Sequence, residues 1–299
     1  GAVHISLGNI DEAEKALTEA LAGRAAVLGP THVDTLATKS HLSLVLQDKE
    51  QYDDALKLMR EIAADQARTL GADNRYTLET RTSIADILHT TLGDFPAAET
   101  EARAVIALAQ KRYGPDDPLV LQSKSILGSI LRDTGKVAES VALLEEIVDA
   151  KKRVYGEDHS ETLTTQNALA MGLRPLGRNE EAEQLTRHVY EKALQIFGPE
   201  HPTTMIYQNN YAQLLHQMKR LDEAGAMYED VLAKRKRISG EQALDTLIAY
   251  NNLGLMYADL GEYERALPYL ETTLKGLEAT LPANHWMIGA STCFVAESL

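Results

Sequence analysis

Glycine recurs along this chain on a nearly constant beat: Gly29, Gly71, Gly114, Gly156, Gly198 and Gly240, with Pro282 in the next slot. Successive members are 42 residues apart, apart from one step of 43. A second column of small residues keeps the same steps: Ala13, Ala55, Ala98, Ser140, Ala182, Ala224 and Ala266. Two independent columns with one period restrict the chain to a stack of similar units, each burying its apolar face against the next. The expectation is one continuous domain over residues 1–299 without a linker: a partial repeat at 1–28, six full repeats at 29–281 and a partial repeat at 282–299.

Each unit reads as two amphipathic helices. Leu247, Leu253, Gly254 and Tyr257 share one face of a first helix, as do Leu163, Leu169, Ala170 and Leu173, and Leu36, Leu42, Ser43 and Leu46. The small member of each row lets the neighbouring helix come close. A turn such as Leu260-Gly261-Glu262-Tyr263 follows, and acidic residues then open the second helix (Asp11-Glu12, Asp53-Asp54, Glu180-Glu181, Asp222-Glu223), where its dipole favours them. Low aromatic content, 5%, suits a core of helix-packing aliphatics.

Between units, glycine ends the second helix in a left-handed conformation. Three residues later stand His32, Asn74, Asp117, His159, His201, Ala243 and His285, a column of N-caps or loop contacts, with Pro118 and Pro202 at the first helical position. The one extra residue falls near "HTTLGD", 89–94, where a local turn adjustment or π-bulge is expected. Pro175 should shorten its helix by a turn.

With its "FGPEHPTT" joint (197–204) and the segment "TLIAYNNLGLMYADLGEYERALPYLETTL" (246–274), the chain resembles tetratricopeptide repeats of the 42-residue kinesin-light-chain type over essentially its whole length. The resemblance implies an all-α fold, an α-solenoid right-handed superhelix of helix-turn-helix repeats. It also implies a protein-interaction scaffold and not an enzyme. One slot departs from the generic pattern: Lys39, Arg81, Lys124, Gln166 and Gln208 stand where a large aromatic is expected, and only Tyr250 conforms.

Motifs for chemistry fail on spacing. In "GSILRDTGK" (128–136) six residues separate the glycines where a phosphate loop has four, and Val137 replaces the magnesium-binding hydroxyl. His159, His201 and His285 sit in joints of different repeats, about 10 Å or more apart by helix spacing, too far for ligands about 2 Å from one zinc. No metal or cofactor is therefore expected. Cys293 reads as a small buried thiol, and a lone cysteine fits a reducing compartment, so the expected location is cytoplasmic. Adjacent carboxylates such as Glu145-Glu146 diverge on a helix. The net charge of −14 leaves no basic stripe for nucleic acid. The run Lys234-Arg235-Lys236-Arg237 reads as a solvated helix end, and no apolar run approaches the roughly 18 residues of a membrane span.

A partner surface is legible instead. Asn167, Asn209 and Asn251 occupy one column of the first helices, continued by Ser125, Thr82 and Ser40. Four residues on stand Met171, Gln213 and Leu255; seven on, Arg132, Arg174, His216 and Ala258. These offsets form a stripe apart from the buried leucines. The expected ligand is an extended peptide in a concave groove, its backbone met by the three carboxamides. The resemblance supports this, since matching asparagines of kinesin-light-chain repeats contact cargo peptides. Arg132, Arg174 and His216 would add positive charge for an acidic group on that peptide. Two other readings stand beside it: the asparagines only brace neighbouring helices, or binding uses another surface or the solenoid ends. Phe294, Val295 and Ile288 make the last helix look apolar, so cover by further chain or self-association through uncapped ends is expected. The Ala-rich style suggests a bacterial source. By analogy with the family, the setting is a larger multidomain regulator, for example one linked to a kinase; an autonomous enzyme is the competing class.

Overall fold

The computed structural model describes residues 10–281 and 285–298, with the side chain of Trp286 excepted. Pro282 and the start of the first partial repeat lie outside the described residues. The chain divides into two compact units, residues 1–157 and 158–299. In the first, α1 (Ile10–Leu28) precedes three helical hairpins: α2 (Val33–Asp48) with α3 (Tyr52–Thr69), α4 (Arg75–Thr90) with α5 (Phe95–Tyr113), and α6 (Pro118–Asp133) with α7 (Val137–Tyr155). The second repeats the plan with α8 (Ser160–Leu173) and α9 (Asn179–Phe197), α10 (Pro202–Gln217) and α11 (Leu221–Ser239), and α12 (Leu244–Asp259) and α13 (Tyr263–Thr280), and then adds α14 (Trp286–Glu297). Within each unit every helix packs on the next along the chain. Each unit is thus an all-α stack of helix-turn-helix repeats.

The small-residue column explains how close the helices come. Ala13, Ala55, Ala98, Ala182, Ala224 and Ala266 are all 0% exposed, and Ser140 is 1% exposed. Ser140 turns its position to use, since its Oγ donates to the Gly128 carbonyl at 2.7 Å. Around this column the cores assemble: Leu56, Ile84 and Ile130 in the first unit, Leu215, Tyr228, Leu253 and Leu270 in the second. Burying one such Leu or Ile contributes about 1.5–3 kcal/mol, before the entropy of ordering it is counted.

Both turn types depend on positive φ, and they differ. Between the helices of a hairpin the chain passes through the left-handed region, as at Gly177 (φ 74°, ψ 8°). Between hairpins the conformation is not the left-handed one expected. Gly198 stands at φ 85° and ψ 170°, an extended region that a Cβ forbids. That steric rule is why this column holds glycine. The caps behave as anticipated: Nδ1 of His32, His159 and His201 accepts the backbone N–H two residues on at 3.2 Å, and His285 does so at 3.3 Å. Phe197 stacks on His201 with ring centroids 4.8 Å apart.

The extra residue is absorbed in the turn after α4 and produces no π-bulge. Thr91 and Leu92 both donate to the Ile87 carbonyl, and Asp94 reaches back to Leu88. Pro175 ends α8 at Leu173, two residues short of the 16 of α10, and the chain continues as a 3-10 turn over Arg174–Leu176.

The slot that lacks the aromatic is a polar clasp between the two helices of a hairpin. Lys39 meets Asp65 at 3.2 Å, Arg81 meets Glu101 at 2.6 Å, and Gln208 donates to Asp230 at 2.7 Å. Lys124, 5% exposed, is compensated by Glu146 at 2.5 Å. Two sequence readings need correction. Arg235 is buried and paired with Asp245, because that side of its helix faces the next hairpin, while Lys236 and Arg237 stay exposed as read. Cys293 is exposed, since α14 turns that side outward. Phe294 and Val295 pack onto the core of the second unit and, like Ile288, stay half-buried.

Candidate functional site

The three first helices of the second unit, α8, α10 and α12, carry the predicted stripe. Their buried sides hold Leu163, Met205 and Leu247, each 0 or 1% exposed. Four residues on, about 40° around each helix, Asn167, Asn209 and Asn251 are half-buried. The second asparagine of each pair reaches back to the preceding repeat. Asn210 Nδ2 donates to Asn167 Oδ1 at 3.1 Å, and Asn252 Nδ2 donates to Asn209 Oδ1 at 2.8 Å. Two carboxamides therefore meet at each joint, and each spends half of its capacity there. Asn209 keeps its Nδ2 donor, Asn210 and Asn252 keep their Oδ1 acceptors, and Asn167 Nδ2 has only the weak Met171 sulfur at 3.9 Å. No following asparagine occupies the carbonyl of Asn251, because that column holds Phe294 in the next helix.

Beside the ladder lies Arg174, placed by the 3-10 turn that Pro175 imposes. Its Nε donates to Gln217 Oε1 at 2.8 Å and its Nη1 to Gln213 Oε1 at 3.1 Å. Both partners are neutral, so the charge is met by dipoles and by no carboxylate. Burial pulls the Arg174 pKa down from its usual high value, although a guanidinium keeps its charge near neutral pH. The phenol of Tyr228, pushed up by its own burial, stays protonated nearby.

The other two expected cations behave differently. His216 Nε2 lies 3.1 Å from Asp259 Oδ2 but out of line for a hydrogen bond, and its ring meets the Tyr228 ring edge-on. Burial lowers its pKa, outweighing the attraction of Asp259, so His216 is neutral at pH 7 and adds no positive charge. Arg132 belongs to the first unit, where it is exposed and donates to the adjacent Asp133 at 2.9 Å; His89 shares that same carboxylate. The structure thus brings together Asn167, Asn209, Gln213 and Arg174, with Asn251 next in register. Asn210, Asn252 and Gln217 were not picked out from sequence. The signal for the two asparagines was the doubling at 209–210 and 251–252, which a one-face reading assigns half to each side.

In the first unit the same column holds short hydroxyls that turn back on their own helices. Ser125 Oγ donates to the Leu121 carbonyl, Ser40 Oγ to Leu36, and Thr82 Oγ1 to Leu78. No carboxamide ladder forms there; the first helices α4 and α6 are joined instead by a hydroxyl pair, Thr82 Oγ1 and Ser123 Oγ at 2.9 Å. Among the described residues, no group of three or more His, Cys, Asp or Glu is placed to hold a metal ion, and no helix is long and apolar enough to cross a membrane.

Comparison with known proteins identifies the repeat. The sequence profile of the tetratricopeptide repeat matches residues 1–64, 34–111, 119–193, 163–233 and 203–279. A putative kinesin light chain from Podosopora anserina, a structure of nearly identical TPR-like repeats, is 23% identical with a TM-score of 0.60, over 68% of this chain and 95% of that one. BtubC (BKLC) from P. vanneervenii is 22% identical with a TM-score of 0.64, over 78% of this chain and 94% of that one. A signal transduction ATPase with numerous domains from Pyrococcus horikoshii, which has a tetratricopeptide repeat sensor, is 13% identical with a TM-score of 0.66; it covers 100% of this chain and 42% of that one. No curated protein sequence matches the chain.

Proposed function

Because the chain belongs to the tetratricopeptide repeat family, with repeats of the kinesin-light-chain type, we propose that it is a non-catalytic scaffold whose second unit holds an extended peptide along α8, α10 and α12. The observation that carries this reading is the half-used carboxamide ladder. The bonded halves of Asn167, Asn209, Asn210 and Asn252 fix the spacing of the first helices. The unbonded halves offer alternating donors and acceptors, which is what an extended backbone requires. Packed helices stand about 8–10 Å apart and an extended chain rises about 3.3 Å per residue, so one repeat meets about three peptide residues. Arg174, with only neutral partners, is the position for a carboxylate on that peptide. Bracing and binding use different atoms of the same side chains, so the two roles coexist.

A setting within a larger, cytoplasmic regulatory protein is part of the proposal and rests on fold-level analogy. The binding reading is tested with a displayed random-peptide library panned on the wild-type chain. Selected peptides should be rich in Asp and Glu and should be lost from Asn167→Ala/Asn209→Ala/Asn251→Ala, with helix content checked by circular dichroism. Arg174→Gln should keep binders but remove the acidic preference. Equal retention by the triple variant and the wild type would refute the site.

A further inference from the structure

A different interaction surface lies in the first unit, where a contact that two other joints between hairpins make is missing. Near the end of the second helices one column reads Arg24, Gln66, Ala109, Lys151, Ala193 and Arg235, and its two arginines find a partner ten residues later in the next hairpin. Arg24 donates to the Asp34 carbonyl at 3.0 Å and to Thr38 Oγ1 at 2.6 Å. Arg235 pairs with the Asp245 carboxylate. In the repeat between α3 and α4 the column holds Gln66, and the residue ten on is Tyr76. Gln66 is 9% exposed and its side chain makes no hydrogen bond; its Oε1 is closed off from solvent as well. Tyr76 turns outward and is 63% exposed.

The missing contact leaves a cavity of about 440 Å³. Val33, Leu36 and Ala37 of α2, Gln66 and Leu70 at the end of α3, and Tyr76 of α4 form its walls. Its size falls within the roughly 300–1,000 Å³ of small-molecule sites. Among its lining residues none is acidic or basic apart from His41, in a chain whose net charge is −14. Val33 and Leu70, at 70% and 49% exposure, keep apolar surface in water beside it. A buried amide with no partner is costly and is ordinarily satisfied by something.

We propose that this cavity binds a small, neutral aromatic molecule that donates one N–H or O–H to Gln66 Oε1. The aliphatic walls take the ring system, and the Tyr76 ring offers it a stacking face. The absence of charge disfavours ions, which would lose hydration without a counter-charge. No hydrogen bond holds the Gln66 side chain, so turning its carbonyl toward a ligand needs only a rotamer adjustment.

The test compares indole with 1-methylindole, which lacks the N–H, by calorimetric titration and amide chemical shifts on the whole chain. Indole should bind the wild type, with shifts around Leu36 and Tyr76, and 1-methylindole should bind at least about fivefold more weakly, as loss of a bond to a buried acceptor predicts. Gln66→Leu should bring the two probes within about twofold of each other. Gln66→Arg/Tyr76→Asp rebuilds the contact seen at Arg235 and Asp245; it should melt no lower than the wild type and bind neither probe. The proposal is overturned by failure of indole to bind the wild type, by equal affinity for the two probes, or by undiminished binding in the folded double variant.

Discussion

Two glycines in the same column of the first helices should respond in opposite ways to the addition of one methyl group. Gly128 lies in α6 and Gly254 in α12; Ala85, Ala170 and Ala212 hold the equivalent positions elsewhere. A Cβ on Gly128 would sit 3.6 Å from Leu144 Cδ2 and 4.0 Å from Ser140 Oγ, ordinary contact distances. Gly128→Ala should therefore collect the helix-propensity gain of about 0.8–1.0 kcal/mol with no steric charge against it. A Cβ on Gly254 would lie 2.8 Å from both Cδ2 and Cγ of Leu270 and 3.2 Å from Tyr269 Cβ. Leu270 is 1% exposed and has nowhere to swing. Overpacking of that kind costs about 1–3 kcal/mol, so Gly254→Ala should lose about 1 kcal/mol net. The two variants should differ by about 2 kcal/mol, with opposite signs. Urea unfolding with the slope monitored is the primary assay, joined by hydrogen exchange resolved by segment, because stacked repeats need not unfold as one. For units of this size a kilocalorie moves Tm by about 2–4 °C. Equal effects of the two substitutions, or destabilisation by Gly128→Ala, would refute the reasoning that Leu270 and Leu144 set the difference.

Further expectations concern pH and turns. Lys136, supported by Arg103, holds the Glu99 carboxyl below the usual carboxylate range. Its contribution should be complete above about pH 4.3 and disappear as pH falls through the lowered value, so Glu99→Gln should flatten the acid limb of a stability profile. Burial lowers the His216 pKa, so the unfolded chain takes up a proton that the folded chain resists. Stability of the second unit should decline as pH falls below about 6.5, and His216→Gln should remove that slope in a urea series. Lys219 sits at φ 62° in the left-handed region where Gly135, Gly177 and Gly261 stand in other repeats. Lys219→Gly should stabilise by about 0.5–1 kcal/mol, read as a higher Tm.

The repeat plan was legible because each structural demand is stated several times over. Glycine before the joint, a cap three residues later and a small residue inside each hairpin recur until chance is a poor account. What a column cannot state is who meets whom across helices. Asn209 reads onto a stripe apart from the buried leucines, yet its bond to Asn252 depends on how α10 and α12 lie side by side. His216 was read as a cation because its burial against Tyr228 and Asp259 is invisible in a one-helix pattern. Arg132 and Arg174 share a column, but one has an acid as its chain neighbour and the other is turned by Pro175 toward two glutamines. Gln66 shows the same limit, since only the comparison of Gln66 and Tyr76 with Arg235 and Asp245 reveals what that joint lacks.

The backward reach of the paired asparagines also governs how such an array can change its length. Both asparagine joints are completed by the downstream repeat, with one donor supplied by the newcomer and one acceptor waiting upstream. Loss of residues 198–239 would bring Asn252 to the place now held by Asn210, and duplication of that segment would add one more equivalent joint. Gain or loss of a whole repeat is thus chemically silent at the seam and alters only the reach of the face, in steps of about 10 Å. Shifts by any other number of residues would break the pairing, so selection on this surface would preserve the 42-residue beat with which the chain first declares itself.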